Sequence, residues 1–287
     1  MIYSMTGFAS GTRDFGRGVL SLEMRTVNSR YLDLHFRIGD DLRFAEPALR
    51  ELITERIGRG KVECRVGFAA ASAAPARSIN PDALAAIAAL DVHVRERMPA
   101  AAPLTVADVL RWPGIFGEDA LDPGELQGAF LALARVAIDE LAASRAREGA
   151  KMAAMIVDRI ARLREIVVEV APRVPAAQAA HAEKLRQRLI EALGSADDER
   201  IRQEVVLFAQ KADVAEELTR LAAHADEVER VLAKGGAVGK RLDFLMQELN
   251  REANTLGSKA VVKEMSQASM ELKLLIEQMR EQIQNIE

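Results

Sequence analysis

The sequence predicts an α+β chain, with a small N-terminal α+β module followed by a long-helix bundle, predominantly helical overall. Three observations carry this. Short alternating or β-branched runs, separated by Gly, Asp and Asn, are confined to residues 1–68. Beyond Gly124 the pattern is helical, and Gln127–Val170 contains no proline and only the glycines Gly128 and Gly149. The last segment carries an apolar seam at steps of three and four: Val261, Met265, Ala268, Leu272, Leu275, Met279, Ile283 and Ile286.

The elements follow in order. Ile2–Ser10, Val19–Val27, Tyr31–Ile38 and Lys61–Phe68 read as strands. Leu20 to Arg25 alternates apolar and polar, so one face of that strand is buried. Ala45–Ile57 has helical spacing, with Glu46-Pro47 at its start. Residues 69–79 are small and read as a loop. Pro81–Arg97 is a helix. Thr105 caps a short one that stops at Trp112-Pro113-Gly114, and Trp112 is expected to pack at a domain junction. Pro172 and Pro175 break the long helix, and Ala176–Leu193 follows, closed by a cap region at Gly194–Asp197. Asp198–Ala233 reads as a second long helix, and Gly239–Leu256 and Lys259–Ile286 complete the array. The expected organisation is 1–120 for the N-terminal module with short helices, 121–235 for the long-helix region and 236–287 for a C-terminal helical domain.

The 287 residues are 49% hydrophobic and 29% charged, enough for a buried core under a normal polar surface. Aromatics are only 4%, which argues against several base-stacking platforms. A formal charge of −4 excludes a generic polycation, so any nucleic-acid contact must be local. One cysteine, Cys64, excludes a disulfide scaffold within the chain. No secretory leader and no run of 18 apolar residues is visible, so a cytoplasmic protein without a membrane span is expected. The GxxxxGKS/T, HExxH and GxSxG motifs are absent, as is a strand-linked GxGxxG.

Four groups of residues could carry chemistry. In 213–224, Asp213, Glu217, Arg220 and His224 fall in one stripe at ~100° per residue, with Ile201, Val205, Phe208, Ala212 and Ala215 roughly opposite. Carboxylates one turn apart near an imidazole could bind a divalent ion or form an acid–base pair. The plain alternative is a solvated face with a Glu217–Arg220 ion pair. In 240–256, Leu242, Leu245, Met246, Leu249, Ala253 and Leu256 form a buried face, and Arg241, Glu248, Glu252 and Thr255 border it. Half-buried carboxylates at i and i+4 repel unless a cation separates them, which makes Glu248 and Glu252 metal candidates. Asp243, Gln247, Asn250 and Asn254 form a polar stripe, and an interhelical polar network is the alternative.

Arg230, Lys234, Lys240 and Arg241 surround Gly235, Gly236 and Gly239 with no acid between, either an anion cradle before a helix or a solvated turn. Finally, Arg25, Asn28, Arg30 and Tyr31 lie near one strand end, and Arg56, Arg59, Lys61 and Arg65 near another. Paired, they would make one basic surface; edge-strand protection is the alternative.

At these residues the chain resembles the YicC/YloC family of bacterial stress-associated proteins, described as endoribonucleases. The resemblance rests on MIYSMTGFA, EMRTVNSRYLDLHFR, IGRGKVECRV, VLRWPG and REGAKM. It continues with DVAEELTRLAAH, VGKRLDFLMQELNREANTLGSKA and ELKLLIEQMREQIQNIE, so that it spans the chain. The resemblance implies a single-strand-directed endoribonuclease activated by Mn²⁺ or Mg²⁺ and assembled as a homo-oligomeric ring, a hexamer. It assigns motifs, not residues. Within those motifs the expected catalytic residues are Glu217, His224, Glu248 and Glu252, and the expected metal ligands are Asp213, Glu217, Glu248 and Glu252. Arg220, Lys240, Arg241 and Arg251 are expected at phosphates near the reaction, and Arg25, Arg30, Arg59 and Lys61 on flanking RNA, with weak sequence preference. A metal-free attack by the RNA 2′-OH with His224 as base is the second mechanism. The rival classes are a non-catalytic RNA-binding adaptor for another ribonuclease and a structural helical oligomer.

Overall fold

The computed structural model describes residues 1–14, 18–70, 79–116, 123–194 and 199–287. Strand β2 (Gly18–Val27) organises the N-terminal part, because its alternation puts Leu20, Leu22 and Met24 on one buried face. It pairs antiparallel with β1 (Gly7–Asp14) on one side and with β4 (Gly60–Ala70) on the other. Strand β3 (Leu32–Ile38) pairs parallel with β4, so the order is β1-β2-β4-β3. A parallel pair needs a crossover. A 3₁₀ turn (Asp40–Ala45) and helix α1 (Glu46–Arg56) supply it, and α1 buries Leu49 and Ile53 under the sheet. The first strand starts at Gly7 rather than at Ile2, because residues 2–5 serve a different contact, described below.

Helices α2 (Pro81–Arg97) and α3 (Val106–Arg111) form an arm. Asn80 accepts from Asp82 N and Ala83 N at the start of α2, and Thr105 and Asp108 form a reciprocal capping box at α3. A bridge between Ile79 and Phe116 closes the arm at its base. Trp112 does not fill a junction; it lies on the arm and is 43% exposed. The expected 69–79 loop, from residue 71 to 78, falls outside the described residues, as do residues 195–198 of the expected cap region.

The 48-residue helix α4 (Pro123–Val170) is about 72 Å long. Its first half contributes Phe130, Leu133, Ala137 and Leu141 to the core beneath the sheet. Its second half contributes Ile156, Ile160 and Leu163 to a separate helical core. A 3₁₀ turn at Ala171–Arg173 then leads into α5 (Val174–Leu193), where Pro172 and Pro175 prevent continuation. Helix α5 pairs with α6 (Glu199–Ala212), with His181 stacked on Phe208 at 4.8 Å between centroids.

The predicted helix Asp198–Ala233 is two helices, α6 and α7 (Ala215–Lys234), separated at Asp213-Val214. Asp213 Oδ1 accepts from Ala215 N at 3.0 Å, a local turn that leads the chain into α7. Val214 is wholly buried at the break, and Ala215 is exposed instead of lying on an apolar face. Helices α8 (Gly239–Ser258) and α9 (Lys263–Ile283) finish the core. Every expected core residue of α8 is buried, and so is the α9 seam from Met265 to Ile286, with Val261 half-buried.

The two cores are joined where both ends of the chain cross α4. Ser4 N donates to Arg145 O at 2.9 Å, and Arg145 Nε donates to Ser4 O at 2.6 Å. The buried Arg145 also pairs with the Glu287 carboxylate, and Met5 N and Glu287 N bond the backbones of Asn285 and Tyr3. Gly149 permits the crossing, since a Cβ there would lie 2.4 Å from Ile2 O.

We expect Arg145→Met to lower the unfolding free energy by about 3 kcal/mol, since it strands a buried carbonyl and a carboxylate together. Urea denaturation should show this as a lower midpoint at an unchanged slope; a shift under 1 kcal/mol would mean that the crossing is held by packing alone.

Candidate active site

Helices α7 and α8 are joined by a four-residue turn and run antiparallel, as the pairs Arg220–Glu252 and Arg241–Glu227 show. On α7, Arg220 and His224 stand one turn apart; on α8, Glu248 and Glu252 do the same. The antiparallel pairing sets these stripes face to face. Among the described residues, His224, Glu248 and Glu252 are the one group whose ligand atoms lie within 4.8 Å of one another. Glu252 is buried at 3% exposure, and His224 and Glu248 are half-buried. A buried carboxylate needs a counter-charge. Arg220 Nη1 reaches Glu252 Oε1 at 3.3 Å, while Arg220 Nη2 donates to Glu216 Oε1 at 2.5 Å. Glu252 first, then Glu216, pushes the Arg220 guanidinium pKa above its ordinary value.

Asp213 and Glu217 do not join this group. Asp213 is spent on the α7 start, and Glu217 turns to Lys259, whose Nζ donates to Glu217 Oε1 at 2.7 Å and to Asp213 O at 2.8 Å. Glu217 is buried, and its Oε2 has no hydrogen-bond partner among the described residues. Lys259 was not among the residues singled out above. It lies just past α8, and nothing in its local spacing connects it with Glu217; only the α6–α7 break and the α8–α9 corner bring them together.

The basic residues are divided between structure and solvent. Arg241 pairs with Glu227 at 3.3 Å and lies over the Phe244 ring, exposed rather than half-buried. Arg230 first and Arg241 second hold the Glu227 carboxyl down at about 2. Arg251 is exposed, 4.0 Å from Glu248. Lys240 is exposed at the start of α8. The glycine turn before α8 is not an open anion cradle. Gly235 N bonds Val231 O, Gly236 N bonds Met1 O at 3.1 Å, and a Cβ on Gly235 would lie 2.4 Å from Met1 N. These glycines let the chain's first residue lie against the turn.

The two N-terminal basic clusters do come together through the β2–β4 pairing, but acids are interleaved with them. Phe8, Arg25, Glu63 and His35 form one row across the exposed sheet face; Glu23, Arg65 and Arg37 belong to the next. A cleft of about 590 Å³ opens there between Arg25, Arg65, Glu23, Glu63 and Glu148. Lys61 lies 3.3 Å from Glu63, and that contact is the main cause lowering the Glu63 pKa. Arg30 is exposed beside the Tyr31 ring. Arg59 is committed elsewhere, donating to Ile286 O at 3.0 Å and lying 3.8 Å from Glu287.

Fold and site together define a protein with a small mixed sheet, a helical bundle and a carboxylate–imidazole cluster between two antiparallel helices. The family model for the endoribonuclease YicC-like N-terminal region matches residues 2–154, and that for the YicC-like C-terminal part matches residues 170–287. A probable endoribonuclease YicC of Haemophilus influenzae (strain ATCC 51907 / DSM 11121 / KW20 / Rd) is 39% identical over 289 residues, covering 100% of both chains. One from Clostridioides difficile (strain 630) is 30% identical over 294 residues, again covering 100% of both. The chain belongs to the YicC-like endoribonuclease family.

Lys259→Met should destabilise the fold by about 2 kcal/mol by leaving the buried Glu217 unpaired, and adding Glu217→Leu should recover most of that loss. A thermodynamic cycle from chemical denaturation measures the coupling; additive losses would show that the pair does not act as a unit.

Proposed function

We propose that this chain is a cytoplasmic, metal-dependent endoribonuclease that cleaves single-stranded RNA with weak sequence preference, at the cluster of His224, Glu248 and Glu252. The observation that carries the reading is the convergence of these three groups from two helices, one of them a buried carboxylate. The donor set is one imidazole and two carboxylates, which suits Mn²⁺ better than Mg²⁺ because Mg²⁺ prefers oxygen ligands throughout. A divalent ion bound there supplies a Lewis acid for the phosphate and lowers the pKa of a bound water.

The chain's own residues do the rest. Glu248 and Glu252 hold the cation, and His224 serves as its third ligand or carries a proton to or from the reacting oxygens. Lys240, Arg241 and Arg251 lie exposed on the same helix as the two glutamates, placed to neutralise phosphates. Arg25, Arg30 and Lys61 extend the phosphate track on the sheet module. Glu217 supports the α7–α8–α9 corner through Lys259 rather than ligating. Among the described residues no helix is long and apolar enough to cross a membrane.

The chain works as a homo-oligomer, for which the family resemblance implies a hexameric ring. The α2–α3 arm supports assembly. Leu90, Val92, Val94, Met98, Val106 and Trp112 on it are 43–75% exposed, and among the described residues neither helix packs extensively on another named element. Ile79, Leu84, Leu104 and Leu110, 39–44% exposed, add to the apolar surface of the arm. Its acids (Asp82, Asp91, Glu96, Asp108) nearly balance its arginines (Arg95, Arg97, Arg111), which suits a protein face better than a phosphate-binding one.

The test is cleavage of an end-labelled RNA oligonucleotide with EDTA, Mg²⁺ or Mn²⁺, resolving the product ends. Glu248→Gln and His224→Ala should each lose roughly a hundredfold or more in rate while keeping fold and RNA affinity. Metal-independent cutting that leaves 2′,3′-cyclic phosphate would replace the hydrolytic route by 2′-OH attack, and no cutting by pure protein would favour an RNA-binding adaptor. For assembly, Val94→Glu with Met98→Glu should reduce the mass seen by light scattering to that of a smaller species; an unchanged mass would place the interface elsewhere.

A further inference from the structure

The contact between Arg220 and Glu252 has an unusual form. Glu252 is almost wholly buried, yet its ion pair with Arg220, at 3.3 Å, is long for a charge-assisted bond. The guanidinium that makes it is half in solvent, 50% exposed, and its other nitrogen is drawn away by the exposed Glu216 at 2.5 Å. A strong buried ion pair would be shorter, bidentate and enclosed. Here the carboxylate is dry and the guanidinium half in water. The carboxylate is also one of the three groups that converge with His224 and Glu248.

We propose that Arg220 is an exchangeable counter-charge for Glu252: it occupies the carboxylate when no cation is bound, and a divalent cation at His224, Glu248 and Glu252 displaces it. This deepens the proposed function and rests on that cluster being the metal site. Two positive charges cannot both sit on one buried carboxylate without repelling each other, so cation and guanidinium compete. The exchange needs no backbone movement, because Arg220 already has Glu216 as a second anchor one turn away on α7. Its released nitrogen, on a half-exposed side chain, is then free to meet an RNA phosphate arriving next to the cation. Arg220 is thus a positioning residue that keeps the empty site folded and becomes available to phosphate when the site fills.

The competition has a sign that a merely structural arginine would not show. Arg220→Gln should destabilise the metal-free protein against heat while binding Mn²⁺ about tenfold tighter or more, and Mn²⁺ should then raise its melting temperature by more than it raises the wild type's. Arg220→Lys, which keeps the charge, should bind Mn²⁺ within about threefold of the wild type. Mn²⁺ binding is read from the loss of the free ion's EPR signal, with full-length protein and no RNA, so activity does not enter. Unchanged or weaker Mn²⁺ binding by Arg220→Gln, beside a wild type that binds, overturns the exchange and leaves the metal site standing. No Mn²⁺ binding by the wild type overturns both. Should Arg220→Gln fail to fold, Glu216→Ala takes its place: removing the second anchor should leave the guanidinium more firmly on Glu252 and weaken Mn²⁺ binding, and an unchanged affinity would count against competition.

Discussion

The crossing of the two chain ends over the middle of α4 constrains everything else. A helix of 48 residues can lie in two cores only if something fixes where one core stops and the next starts. Arg145 and Gly149 mark that point. The first lends a buried guanidinium to Ser4 O and to Glu287, and the second leaves room for the backbone at Ile2. Below the crossing, α4 faces the sheet; above it, α4 faces α7 and α9. The segments that meet there are the most distant in sequence, so the join carries a large loop-closure cost, and it ties the last residues of the chain to the first.

Around α7 and α8, buried and half-buried carboxylates set where the cations lie. Glu252 draws in Arg220, Glu217 draws in Lys259, and Glu227 draws in Arg230 and Arg241. Three of these pairs join residues on different helices or across a corner, so they register the elements as well as balancing charge. Their form differs with exposure. Lys259 is short-range and doubly bonded, to a carboxylate and to a backbone carbonyl, whereas Arg220 is shared between a buried and an exposed acid. A tightly held cation protects a corner; a shared one can be exchanged.

Much of this was legible in the sequence, for physical reasons that can be named. Alternation in β2 and three-four steps in α8 and α9 report burial directly, since one face of each element must avoid water. The prolines at 172 and 175 and the capping pair Thr105 and Asp108 report ends, because they alter backbone hydrogen bonding locally. Glu248 and Glu252 stood out because two acids one turn apart at the edge of an apolar face require a cation. The break at Asp213-Val214 was harder, because no proline or glycine marks it; its signal was Asp213, whose short side chain bonds the backbone two residues on. Missing it put Asp213 and Glu217 with His224. The roles of Lys259, Arg59 and Arg145 are tertiary, with partners 42 or more residues away, and local pattern carries no trace of such distances.

A stripe on one helix says which residues share a face, and says nothing about which end of that face meets its neighbour. The register between α7 and α8 decides that, and the turn between them sets the register. That turn is not free to slide. Gly236 bonds Met1, Gly235 has Met1 against its Cα, and Gly239 has Ile286 O where a Cβ would come within 2.6 Å. A slip of one residue in α8 would rotate its glutamates by about 100° away from His224. The chain ends that cross α4 therefore also seat the turn that aligns the cluster. The site depends on the crossing although no residue of the crossing touches it, and this is why a protein with its candidate chemistry in two adjacent C-terminal helices needs its first five residues in place.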